Sequence, residues 1–94
     1  MDSILDIARR YDLKVIEDAA HALPSKYRTR FVGTIGDLTA FSFYATKNLT
    51  TAEGGMLTGD LDLIEEARLW SLHGMSRDAS NNTWCRVYTI DRPQ

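Results

Sequence analysis

The chain has 94 residues, of which 44% are hydrophobic and 26% charged, and its formal net charge at pH 7 is −2. This length suits at most one small domain, and the mixed charges provide neither a basic stripe for nucleic acid nor an acidic run typical of disorder. A single cysteine, Cys85, excludes an internal disulfide and predicts a reducing compartment. The N-terminus is too charged for a signal peptide, and no apolar run approaches the roughly 20 residues that span a bilayer. We therefore expect a cytoplasmic protein.

The first predicted elements are a short helix and a buried strand. Apolar residues recur at helical spacing over residues 4–11, and Asp2 or Ser3 is placed to cap the N-terminus of this helix. Leu13 to Glu17 follows as a strand, because Val and Ile favour pleated, buried positions. Asp18 leads into AAHALPS (19–25), where Pro24 predicts a loop, and Val32 to Asp37 is predicted to be a turn-rich connection with two glycines.

Two further strands and a second helix are predicted after this connection. The strands are Leu38 to Tyr44 and Met56 to Thr58. The helix runs from Leu61 to His73, with Asp60 as its N-cap and Gly74 as its stop. This order predicts part of an α/β fold with a mostly parallel sheet layered with helices. Two helices leave apolar sheet surface uncovered, so we expect a piece of a larger domain or an obligate oligomer.

Asp18 and His21 follow the first predicted strand, at the sheet edge where α/β proteins bind ligands. Each residue also has a purely structural interpretation, since aspartates cap helices and loops and a lone histidine is often a surface residue. Neither a cysteine nor a third histidine lies near them in the sequence, so no metal site is predicted.

Ser42 and Lys47 lie at the end of the second predicted strand. A serine between two aromatic residues either bonds a backbone carbonyl or presents its hydroxyl to a phosphate. A lysine in this position is either solvated or, when buried, an amine nucleophile. The pattern GxxxxGK[ST] is absent, which disfavours a nucleotide-phosphate lysine. The glycine pair Gly54-Gly55 further along marks a tight backbone turn or a close approach of the backbone.

Three blocks of sequence resemble the sugar aminotransferases of the DegT/DnrJ/EryC1/StrS family, in family order and at family spacing. They are VIEDAAHAL (15–23), VGTIGDLTAFSFYATKNLTTAEGGMLTGD (32–60) and LWSLHGMSRDA (69–79). The resemblance implies a pyridoxal 5'-phosphate (PLP) enzyme with a fold-type-I large domain. It also implies that residues 1–79 are a fragment of that PLP-binding domain and that residues 80–94 form a divergent, irregular tail.

The resemblance implies a role for each of the four candidate residues. Asp18 matches the aspartate that pairs with the pyridinium nitrogen, and His21 matches a glutamine or histidine near the phenolic oxygen. Ser42 matches the phosphate-binding serine, and Lys47 matches the lysine that forms a covalent imine with the cofactor. Dehydratase relatives have histidine in place of this lysine, so Lys47 favours amino transfer over the alternative of a PLP-dependent sugar dehydratase.

The activity implied by the resemblance is transfer of an amino group, with glutamate as the expected donor, to a keto group of a nucleotide-linked sugar. Such reactions serve the biosynthesis of cell-surface polysaccharides or of sugars in secondary metabolites, and family members are expected to be homodimers. They are also several times longer than this chain, and they supply further cofactor contacts from segments that it lacks. A non-catalytic fragment of such an enzyme is therefore the second hypothesis.

The sequence also departs from the family pattern at three positions. Ala45 replaces a proline, Ala52 replaces a glycine, and Thr29 stands where a turn often has glycine. The change at position 52 matters if the backbone there needs a positive φ, because alanine resists that conformation.

Overall fold

The structure is a computed structural model that describes residues 1–71, in which two helices and five strands form. The elements are α1 (Asp2–Arg10), β1 (Ile16–Asp18), β2 (Lys26–Tyr27), β3 (Arg30–Phe31), β4 (Leu38–Ser42), β5 (Gly55–Gly59) and α2 (Leu61–Ser71). The chain divides into two compact units, Met1–Ile64 and Glu65–Gln94, so α2 begins in the first unit and continues into the second.

The main sheet of the first unit has the strand order β1-β4-β5. β1 and β4 are parallel, with Asp18 opposite Ala40, whereas β4 and β5 are antiparallel, with Ser42 opposite Gly55. The predicted α/β fold is confirmed, and the antiparallel β5 makes the described sheet mixed. Parallel strands need a crossover, which residues 19–37 provide without a helix.

β1 is shorter than predicted and begins three residues later, at Ile16 rather than Leu13. Val15 lies outside the strand because its backbone bonds to Asp37. Its N–H donates to Asp37 Oδ2 at 2.8 Å, and its carbonyl accepts from the Asp37 amide at 2.9 Å. Asp18 was predicted to follow this strand, but in the structure it is the last residue of β1.

The hairpin of β2 and β3 was not predicted, because strands of two residues each are too short to show an alternating pattern. Lys26 lies opposite Phe31, and its ammonium sits 4.3 Å from the centre of that ring. The positive φ in the hairpin turn is 56° and belongs to Arg28, not to Thr29, where the resemblance implies a glycine. Arg28 also forms an ion pair with Asp2 at 2.6 Å.

The two helices differ in how they begin. Met1 is the N-cap of α1 and makes no side-chain hydrogen bond, so the prediction that Asp2 or Ser3 caps this helix is wrong. Asp60 does cap α2, as predicted, because its Oδ1 accepts from the amides of residues 62 and 63 at 3.1 and 3.2 Å. The predicted end of α2 at His73 lies outside the described residues, as does the predicted tail of residues 80–94.

The core of the described part lies on one face of the sheet. Its buried apolar residues are Ala8, Ala19, Ile35 and Phe41, and they are joined by Thr39, which is 1% exposed. Thr39 and Phe41 alternate with Ala40 and Ser42 along β4, so the latter two lie on the opposite face. No helix within residues 1–71 is long and apolar enough to cross a membrane.

Candidate active site

The carboxyl ends of β1 and β4 meet at one edge of the sheet, because these two strands are parallel. Asp18 pairs with Ala40, and Ser42 lies two residues further along β4, so the three side chains share one face. Asp18 and Ala40 are exposed, and Ser42 is half-buried. A carboxylate and a hydroxyl thus flank one small side chain on the open face of the sheet.

A tight turn follows β1 and carries His21. The Ala19 amide extends the ladder by donating to the Ala40 carbonyl at 2.9 Å. Asp18 Oδ1 then accepts from the Ala20 amide at 3.0 Å, an aspartate turn of the usual kind. The Ala22 amide closes the turn on the Ala19 carbonyl at 3.0 Å, which leaves the histidine exposed at its tip.

A closed loop follows β4 and carries Lys47. Its two ends are joined by the Phe43 amide, which donates to the Gly54 carbonyl at 2.8 Å, and by the Thr51 amide, which donates to the Phe43 carbonyl at 3.0 Å. Within the loop the Lys47 amide donates to the Tyr44 carbonyl at 2.9 Å and closes a four-residue turn. Ala45, where the resemblance implies a proline, is the second residue of that turn, a position that proline favours.

The structure brings Lys47 and His21 together although they lie 26 positions apart in the sequence. Lys47 Nζ is 2.7 Å from His21 Nε2. Asn48 adds a second tie between the two loops, because its Nδ2 donates to the Leu23 carbonyl at 3.0 Å. Sequence reasoning gave Asn48 no role, and its only signal is a polar amide directly after the candidate lysine. These contacts hold the loop after β4 against the turn after β1.

Ala52, in the same loop, has a φ of 68° and is therefore in the left-handed region. Its amide donates to Thr50 Oγ1 at 2.9 Å, while Thr50 Oγ1 donates to the Phe43 carbonyl at 3.0 Å. Hydroxyl side chains thus support a backbone conformation that alanine disfavours and glycine would adopt freely.

The residues at this edge suit PLP in their chemical types. Asp18 offers a carboxylate for a protonated ring nitrogen, Ser42 offers a hydroxyl for a phosphate, and Lys47 offers the amine. The Ser42 hydroxyl can make further hydrogen bonds, since its one side-chain hydrogen bond within the described residues is a long one of 3.4 Å from the Tyr44 amide. The small Ala40 between Asp18 and Ser42 leaves that face open. The chemical types of these donors therefore fit the cofactor.

Comparison with known proteins gives the chain its family. The model of the DegT/DnrJ/EryC1/StrS aminotransferase family matches residues 1–91. The chain belongs to this family. The resemblance predicted from the three sequence blocks is thereby confirmed, and the family is one of PLP-dependent sugar aminotransferases.

Three members of the DegT/DnrJ/EryC1/StrS family illustrate the similarity. The spore coat polysaccharide biosynthesis protein SpsC of Bacillus subtilis is 52% identical over 99% of the chain, and GDP-perosamine synthase of Caulobacter vibrioides is 47% identical over 89%. The structure of Helicobacter pylori PseC, an aminotransferase involved in the biosynthesis of pseudoaminic acid, aligns over 85% of the chain with a TM-score of 0.75 and 36% identity. The chain covers only 25%, 22% and 22% of these three proteins, respectively.

Proposed function

We propose that this chain forms the cofactor-attachment region of a PLP-dependent aminotransferase that acts on a nucleotide-linked sugar. The observation that carries the proposal is the contact of 2.7 Å between Lys47 Nζ and His21 Nε2 at the carboxyl edge of β1 and β4. It joins the lysine after one strand to the turn that begins at Asp18, as a shared cofactor site requires.

Each residue of the proposed site has a defined role. Asp18 holds the ring nitrogen protonated, and Ser42 with nearby backbone amides binds the phosphate. His21 orients the Lys47 amine through the hydrogen bond between His21 Nε2 and Lys47 Nζ. Lys47 would hold the cofactor through its amine, and this amine, when free, would accept the proton that leaves the amino-bearing carbon of the donor. Bound PLP supplies an electron sink that stabilises negative charge on that carbon.

The nucleotide-linked sugar is proposed from the family and from local charge. GDP-perosamine synthase is named for a GDP-linked product. In this chain residues 19–36 follow Asp18 and contain Lys26, Arg28 and Arg30 but neither aspartate nor glutamate. Arg28 is paired with Asp2, so Lys26 and Arg30 are the cations of this segment that favour a substrate carrying phosphate groups. Glutamate as amino donor and a homodimeric assembly belong to the same proposal.

Replacement of the proposed attachment lysine tests the cofactor site. Wild-type protein incubated with PLP should show visible absorbance and, after borohydride reduction, a modified peptide that contains Lys47. Lys47→Ala should abolish both signals, because no other amine is held beside His21 within the described residues. Lys26→Ala is the matched control, since this lysine lies on the hairpin, and it should retain both signals. Equal labelling of several lysines, or none at Lys47, would overturn the proposal.

The chain's coverage of about a quarter of SpsC supports a second hypothesis for the isolated polypeptide, namely a fragment that lacks turnover. Product analysis with a keto-sugar nucleotide and glutamate separates the two. Amino-sugar formation by the purified chain rules out the inactive fragment. Labelling of Lys47 without product supports a cofactor-binding fragment.

A further inference from the structure

We infer that Glu17 is a positioning residue that fixes the register of β1 on β4 and thereby sets the place of Asp18. This inference rests on the proposed function, because it assigns Asp18 to the cofactor. Glu17 was given no role from the sequence. It precedes Asp18 in β1 and points to the opposite, core-facing side of the sheet.

The side chain of Glu17 joins β1 to both the crossover and β4. Its Oε1 accepts from the Gly36 amide at 2.7 Å and from Thr39 Oγ1 at 3.2 Å. Thr39 is its register partner on β4 and is 1% exposed, so the Thr39 end of this contact lies in the core, whereas Glu17 is half-buried. One carboxylate oxygen therefore links three segments of the chain.

Gly36 lies where a larger residue would disturb this arrangement. A Cβ at position 36 would come within 2.9 Å of the Val15 carbonyl oxygen and 3.0 Å of Glu17 Oε1. Both distances are tighter than ordinary van der Waals contact, so glycine lets the crossover backbone approach β1 closely enough to donate to Glu17. The Glu17 clasp is the set of Glu17, Gly36 and Thr39.

The backbone pairing of β1 is weak by itself, which gives the clasp its importance. β1 has only three residues and, among the described residues, pairs only with β4. A shift of the pairing by one residue would turn Asp18 from the open face, which it shares with Ser42, to the face of Thr39 and Phe41. The Glu17 clasp opposes this shift because the Gly36 amide and Thr39 Oγ1 lie on either side of the start of β4. A shifted β1 would move Glu17 away from both donors.

Amide hydrogen exchange of the full chain without cofactor tests the inference. The reporter is the Ala19 amide, bonded to the Ala40 carbonyl, and the reference is the Phe43 amide, bonded to the Gly54 carbonyl at the other strand pair. Glu17→Ala should lower protection of the reporter relative to the reference by about tenfold, since a charged acceptor is removed. Glu17→Gln should restore protection, because its amide oxygen still accepts from both donors.

Thr58→Val is the matched control. Thr58 Oγ1 donates to the Gly33 carbonyl at 3.0 Å, so this variant also removes one hydrogen bond between the sheet and the crossover. It should change the reporter and the reference amides by the same factor. The inference is overturned if Glu17→Ala also changes both equally, or if Glu17→Gln exchanges like Glu17→Ala.

Titration with PLP adds a second readout under conditions where all variants are folded. Glu17→Ala should weaken Lys47-dependent PLP binding by about tenfold, whereas Glu17→Gln and Thr58→Val should bind like wild type. Wild-type binding retained by Glu17→Ala would overturn the link to the cofactor. If wild-type protein itself lacks Lys47-dependent binding, the proposed function fails, and the exchange experiment still decides whether Glu17 fixes the register.

Discussion

Ala52 shows how a single residue can conflict with the backbone around it. The sequence raised the question of whether this position needs a positive φ, and the structure gives it a φ of 68°. An L-residue pays for this conformation because its Cβ crowds the carbonyl, whereas glycine does not. The hydrogen bond from its amide to Thr50 Oγ1 helps to hold the loop in this form.

Ala52→Gly is therefore expected to stabilise the folded chain by about 0.5–1 kcal/mol, because relief of strain outweighs the added freedom of the unfolded chain. Ala45→Gly is the matched control in the same loop, where φ is not positive. It should destabilise the chain by about 0.4–1 kcal/mol, since only the unfolded-state effect remains. Urea unfolding of both variants measures the two changes. A loss of stability in Ala52→Gly would contradict the strain argument.

At the scale of the element, β1 is short and its backbone pairing is weak. The side chain of Asp37 helps to hold the start of this strand. The Val15 amide donates to Asp37, and Lys14 Nζ lies 3.2 Å from the same carboxylate. The Val15 hydrogen bond first, and then that of Lys14, lower the pKa of Asp37 below its ordinary value of 3.8. Asp37 thus ties the approach to β1 to the start of β4, while the Glu17 clasp acts within the strand.

This lowered pKa predicts how stability depends on pH. The folded chain binds fewer protons at Asp37 than the unfolded chain, so the stabilisation is complete above the ordinary pKa of 3.8 and is lost as pH falls through the lowered value. At neutral pH, the unfolding free energy of wild type should therefore be larger than that of Asp37→Asn. The difference between the two should shrink as pH falls through the lowered pKa of Asp37. Urea unfolding of both proteins at a series of pH values measures this difference in unfolding free energy.

Lys14→Met is the control for this experiment. It removes the ammonium but leaves the hydrogen bond from the Val15 amide, which has the larger effect on the pKa of Asp37. The pH dependence should therefore become smaller in this variant without disappearing. A difference between wild type and Asp37→Asn that grows as pH falls would show that Asp37 is not stabilised as its charged form.

At the scale of the whole molecule, the described part buries little apolar surface. Two of its four buried apolar residues are alanines. Several large side chains of the first unit remain exposed, among them Ile4 at 54%, Ile7 at 54% and Ile16 at 69%. Apolar burial is the main source of folding stability, so a core this small provides little of it.

The isolated chain is therefore expected to unfold with a free energy below about 5 kcal/mol, the lower end for natural domains. Urea denaturation followed by far-UV circular dichroism measures this value. Ile7→Gln should change the free energy of unfolding by less than about 0.5 kcal/mol, because the Ile7 side chain is exposed and its burial contributes little to stability. Phe41→Ala should instead abolish cooperative unfolding, since Phe41 is 7% exposed and is the largest buried apolar side chain. A stability well above the expected value would contradict the small core.

The sequence by itself determined the family, the order of the main elements and the identity of the candidate residues. Local signals sufficed for these, because the blocks around Asp18 and Lys47 and the cap at Asp60 are contiguous in the chain. The roles of Asp18, His21, Ser42 and Lys47 stay predictions until the cofactor experiments are done. The cytoplasmic location also stays a prediction.

Only the tertiary structure decided the contacts between distant segments. It placed Lys47 beside His21, tied Asn48 to Leu23, and bonded Glu17 to Gly36 and Thr39. The two-residue strands of the hairpin and the late start of β1 were likewise hidden in the sequence. Each depends on hydrogen bonds between residues whose separation along the chain leaves no periodic pattern, so the partner becomes known only when the fold brings it near.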